Sequence, residues 1–139
     1  MLHINDICNY IPDTAINVME SLEHLNLNKQ QAKVYEKIYD LERIPQALNM
    51  SVVELVKQPV AELMAKHHLA PDDIKVLIHT HTSRLIAPFG TSVIQQVKRE
   101  LGLINTQAFS ISLNNCASTL TAFEMAAHLL KDHASTAKA

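Results

Sequence analysis

Cys116 lies where a strand-like stretch, Ala108-Phe109-Ser110-Ile111-Ser112-Leu113, passes through Asn114-Asn115 into a helix-like stretch from Thr119 to Leu130. The first turn of a helix leaves backbone N–H groups unpaired and carries the positive end of the helix dipole. Both favour a thiolate, the nucleophilic form of cysteine. Acyl transfer between thioesters needs such a group, one that is soft, partly ionised near neutral pH and itself a good leaving group. It also needs N–H donors aimed at the oxyanion of the tetrahedral intermediate, and a cysteine at a strand-to-helix elbow brings its own amide. On chemistry alone, Cys116 is either that nucleophile or an ordinary buried thiol.

The other reactive side chains are less telling. His79 and His81 alternate on one strand face, but no Cys, Asp or Glu at ligand spacing accompanies them, so no metal site is expected. His67-His68 ends a helical stretch and suits its negative pole. His128 follows Cys116 on the same helix and is expected at a surface. Phe89, read by itself, is a core aromatic.

The elements that position Cys116 follow from periodicity. Ile74 to His81 is a strand whose apolar run suits a buried sheet, Thr91 to Leu101 a helix with Val93, Ile94, Val97 and Leu101 inward, and Thr106 to Leu113 a second strand. Strand–helix–strand–helix repetition argues for a parallel α/β sheet with right-handed crossovers. Upstream, Leu2 to Cys8 alternates like a half-buried strand, and Thr14 or Asn17 caps a short helix through Leu25. Asn28 caps a helix from Lys29 to Leu41, and Ser51-Val52-Val53-Glu54 opens another that runs to His68, with Pro59 predicting a kink or break. Only Gly90 and Gly102 are glycines, so the first two thirds should be poor in tight turns and rich in helix. The three parallel strands would leave edges that need covering.

Composition bounds the rest. The 139 residues make one domain at most, and 47% hydrophobic against 19% charged content marks a globular chain. A net charge of -2 offers no basic patch for nucleic acid or an acidic membrane. Two distant cysteines, Cys8 and Cys116, form no disulfide framework and suit a reducing compartment. With no signal-peptide pattern and no apolar run of spanning length, a cytoplasmic location is expected.

The series from the Ile74–Thr82 strand through Leu101-Gly102 and Ala108-Phe109 to Asn115-Cys116-Ala117-Ser118 resembles the N-terminal half of the thiolase-fold condensing enzymes. The likeness is nearest to β-ketoacyl-acyl-carrier-protein synthase III, and it is sharpest between Val76 and Leu130. The resemblance implies an acyltransferase or condensing-enzyme half or subunit in which Cys116 accepts the acyl group. It implies substrate contacts at Asn115, at Phe89 toward a partner subunit's acyl pocket, and at Lys37 and Arg43 in the region that holds coenzyme A. That region has no tryptophan, and Ile38-Tyr39-Asp40 replaces the usual Thr-Gly-Ile, so an acyl carrier protein stands beside coenzyme A as donor.

The same resemblance assigns the activating histidine and asparagine to a second half, expected here on a second polypeptide. Residues 1–139 are then one partial domain, 131–139 a frayed tail, and the chain alone is expected to be inactive. His128 and His133 match no motif that would replace the activating pair. No cofactor is implied beyond the acyl thioester itself. The partners implied are an acyl carrier protein or acyl-CoA and a chain carrying the C-terminal half, within a homo- or hetero-oligomer. The alternative is a non-catalytic interaction module or remnant that binds a full-length relative or an acyl carrier protein.

Overall fold

The computed structural model describes residues 3–82, 90–112 and 114–131. Two compact units emerge, Met1–Asn9 with Ser51–Ala139, and Tyr10–Met50. In the second, β1 (Ala15–Asn17) pairs antiparallel with β2 (Arg43–Pro45), Ile16 opposite Ile44, and α1 (Lys29–Ile38) lies between them in sequence. Asn28 caps α1 as expected, accepting from the Gln31 amide while the Gln31 side chain accepts from the Asn28 amide. The short helix expected after Thr14 or Asn17 does not form. Asn17 is in β1, and its Oδ1 takes the amides of Met19 and Glu20, holding a turn instead.

The larger unit carries α2 (Val52–Lys66), β3 (Val76–Thr80), α3 (Val93–Glu100), β4 (Gln107–Ile111) and α4 (Ser118–Leu129). Ser51 and Glu54 form the expected capping box, and Pro59 sits inside an unbroken α2. β3 and β4 are parallel, in register from Val76↔Gln107 to Thr80↔Ile111, with α3 as their crossover. The core lies where Val93, Ile94 and Val97 of α3 meet Val53 and Val56 of α2, with Leu77 and Ala108 of the sheet. Side chains alternate along a strand, so Leu77, His79 and His81 share the α3 face, whereas Val76, Ile78 and Thr80 turn to α4. The buried Thr106 hydroxyl donates to the Ile74 carbonyl at 2.6 Å just before β4 begins.

Two expectations are corrected. The sheet has two parallel strands among the described residues, not three, because His3–Cys8 is irregular. The Asp6 carboxylate is committed elsewhere: its Oδ1 takes the Ile7 amide, and its Oδ2 binds Lys66 and His67 at the end of α2. Such side-chain bonds compete with a strand ladder. The second correction concerns turns. Asn26, Asp40, Asn49, His68 and Asn115 all adopt the left-handed conformation that glycine usually supplies. At the end of α2, for example, His68 has φ 52° and Leu69 N–H returns to the Met64 carbonyl at 2.9 Å. Scarcity of glycine therefore did not mean scarcity of tight turns. The calls on the Ser83–Pro88 loop and on the 132–139 tail, His133 included, lie outside the described residues.

Candidate active site around Cys116

β4 ends at Ile111, and the chain enters α4 through a single 3-10 turn, Asn115–Ala117, that contains Cys116. The reversal is made by Asn115 at φ 48°, a conformation asparagine tolerates better than most residues. The Ala117 amide bonds the Asn114 carbonyl at 3.0 Å, and the Ser118 amide bonds that of Asn115. Asn114 Nδ2 donates to Thr121 Oγ1 at 3.1 Å, which in turn reaches the Ala117 carbonyl. These bonds fix the entry to α4 without a side-chain cap at Ala117. Cys116 thus stands at the N-terminal end of the helix that follows β4, where the sequence placed it.

Cys116 is exposed to solvent, and it lines none of the cavities formed by the described residues alone. The largest apolar cavity described, about 680 Å³, lies between α2, β3 and α4 and is lined by Val60, Leu63, Met64, Val76, Leu77 and Phe123, with the His3–Asp6 segment at its edge. Cys116 does not line it. Two residues after the cysteine, Ser118 is 1% exposed, and its hydroxyl has no hydrogen-bond partner among the described residues.

The remaining predicted residues are distributed as follows. Asn115 adjoins Cys116, is exposed, and shapes the backbone. Lys37 and Arg43 both belong to the Tyr10–Met50 unit: Lys37 is in the last turn of α1, 3.7 Å from Glu36, and Arg43 opens β2 with its side chain exposed. Phe89 lies outside the described residues. His128 is exposed, its Nδ1 2.8 Å from the Glu124 carbonyl.

Sequence reasoning missed two polar contacts near the strand ends. Thr80 Oγ1 and Thr119 Oγ1 lie 3.4 Å apart, tying the end of β3 to the first turn of α4. On the opposite face, the His79 and His81 rings are 4.9 Å apart, and His79 Nδ1 is 3.5 Å from Ser110 Oγ. Half-burial, and then the neighbouring His81, hold His79 below the ordinary imidazole value. The alternation at 79 and 81 was visible in the sequence; the pairing with Ser110 required the strand register. The other thiol, Cys8, has its pKa raised, chiefly by its hydrogen bond with the Glu62 carboxylate.

No protein-family model matches the chain, and no curated protein matches it. Solved structures do. ChlB3, an acyltransferase, superposes with a TM-score of 0.73 at 17% identity, over 90% of this chain and 36% of its own. An OleA variant from Xanthomonas campestris gives 0.71 at 16% identity, over 91% and 40%. The chain has a thiolase-like α/β fold. Within that class it is similar to 3-oxoacyl-[acyl-carrier-protein] synthase III from Aquifex aeolicus, with a TM-score of 0.67 at 17% identity over 89% of this chain. It spans 38% of that enzyme's length, so the likeness is to part of the fold. Among the described residues, no helix is long and apolar enough to cross a membrane.

Proposed function

We propose that this chain is an acyltransferase or condensing-enzyme half, with Cys116 as the nucleophile that accepts an acyl group from a carrier-protein or coenzyme A thioester. The observation that carries this reading is the position of Cys116 in a 3-10 turn that leads directly into α4, within a thiolase-like fold. In the proposed step the Cys116 thiolate attacks the thioester carbonyl, the Cys116 amide helps to hold the oxyanion, and the tetrahedral intermediate collapses to acyl–Cys116 as the donor's carbon–sulfur bond breaks and the donor leaves as a thiolate. A histidine and an asparagine from a second half or second chain complete the site and cover the cysteine. Lys37 and Arg43 serve the donor's phosphates, and Asn115 and Phe89 the acyl group. The reaction belongs to fatty acid or polyketide synthesis in a reducing, cytoplasmic setting.

Assembly is part of the proposal. Among the described residues β3 and β4 form a two-stranded sheet in which no further strand pairs with either outer edge, and Leu120 and Phe123 of α4 are 70% and 43% exposed. A dimer or a complex with a chain carrying the second half would bury about 800 Å² per partner. Sedimentation at micromolar concentration should show it, and a single monomer throughout would overturn the half-fold reading. The chemical test is incubation with an acyl thioester and such a complementary chain. One acyl mass is expected on the Cys116 peptide, and labelling that persists in Cys116→Ala or moves to Cys8 would defeat the nucleophile role. The exposure of Cys116 favours a second reading, a non-catalytic module that binds a full-length relative or an acyl carrier protein. Tight binding without acylation would select it.

A further inference from the structure

We propose that His79 and His81 form a chelating site for a divalent transition-metal ion, zinc foremost, on the α3 face of the sheet at the C-terminal end of β3. The inference does not rest on the acyl-transfer reading. Residues two apart on a strand project from the same face, and here the two rings have closed to a centroid separation of 4.9 Å with 35° between their planes.

That separation is compatible with a shared metal. With a metal–nitrogen bond near 2.0–2.1 Å, each imidazole centroid lies about 3.2 Å from the ion; two such rings are then about 4.5 Å apart at a right-angled N–metal–N and about 5.2 Å apart at a tetrahedral one. The observed distance falls between the two. Imidazole is a borderline ligand suited to zinc, copper and nickel rather than to calcium or magnesium.

Ser110, opposite His79 in the register, is a positioning residue. Its Oγ is 3.5 Å from His79 Nδ1, which leaves Nε2 for the metal and gives the ring the outer hydrogen bond that metal-bound histidines characteristically make. Among the described residues no third His, Cys, Asp or Glu joins the pair, so water or an added anion would complete the coordination that these two side chains begin. Ligands of α/β proteins gather beyond the carboxyl ends of parallel strands, which is where this pair lies.

The test is calorimetric titration of the whole chain with Zn²⁺ alone, alongside imidazole NMR resonances of the unaltered protein. One equivalent is expected, with the His79 and His81 resonances shifting together. Ser110→Ala should weaken binding about tenfold, and His79→Gln or His81→Gln by more. Resonance shifts confined to other histidines, or loss of binding in Cys116→Ser or Cys8→Ser, would overturn the site, as would the absence of saturable binding. Because the NMR readout uses the unaltered chain, a variant that fails to fold does not leave the question open.

Discussion

The two cysteines sit in different surroundings within one compact unit. Cys8 follows an irregular segment and lies beside Glu62, whose carboxylate favours the protonated thiol; Asp6 adds to the same effect. Cys116 is exposed at the entry to α4, beside backbone amides and away from any carboxylate that forms a bond with it among the described residues. The same side chain is therefore suppressed in one place and presented in the other. Reactivity of a thiol is set by what surrounds the sulfur more than by how much of it is accessible.

The largest effect that would break this comparison is in acyl transfer. Cys116→Ala should abolish acyl labelling in the completed complex, whereas Cys8→Ala should leave it unchanged, as read by intact mass. Next comes alkylation. Iodoacetamide at neutral pH should modify Cys116 about tenfold faster than Cys8, and Glu62→Gln should narrow the gap by releasing the Cys8 thiol. Equal rates in the unaltered chain would erase the contrast.

Two smaller effects concern the scaffold on either side. Asp6 is held well below the ordinary carboxylate value of 3.8, first by Lys66, then by His67 and the Ile7 amide. A depressed carboxylate stabilises the fold fully above its unfolded value, and the contribution is lost as pH falls through the folded one. Urea midpoints should therefore decline on acidification below about pH 4, and Asp6→Asn should flatten that decline. At the other cysteine, Asn115→Val should cost about 1–2 kcal/mol, because a β-branched residue is strained at φ 48°. Ser118→Ala should raise stability by about 1 kcal/mol, since it removes a buried hydroxyl without a partner. A loss of stability in Ser118→Ala would mean that the hydroxyl is satisfied by ordered water.

Much of the larger unit was legible in the chain. The capping box at Ser51 and Glu54, the inward set Val93, Ile94 and Val97, and the β4-to-α4 elbow at Cys116 all follow from local signals that tertiary packing reinforces. What failed to read was governed by competition between side chain and backbone. Asp6 draws the Ile7 amide to itself, and Asn17 does the same for Met19 and Glu20, so alternation and capping signals were overridden by bonds of a few residues' reach. The left-handed residues were hidden for a related reason: asparagine, aspartate and even His68 can stand where glycine is looked for. Around Cys116 the helix start was visible, but solvent exposure was not, because it depends on what packs over the turn. The His79–Ser110 contact depends on a register 31 positions apart, which no local pattern specifies.

That register turns on few atoms. Thr106 is fully buried, and its hydroxyl reaches the Ile74 carbonyl, while the next amide, Gln107, bonds Lys75 at 2.9 Å. A slip of β4 by one residue would strand this hydroxyl in an apolar interior and turn every β4 side chain to the other face. Ser110 would leave the imidazoles, Ala108 would leave the α3 core, and Phe109 would be driven into it. Thr106 thus favours the observed alignment over its neighbours: a sheet slipped by one residue would carry an unpaired buried hydroxyl, whereas the alignment that leads on to Cys116 at the head of α4 satisfies it.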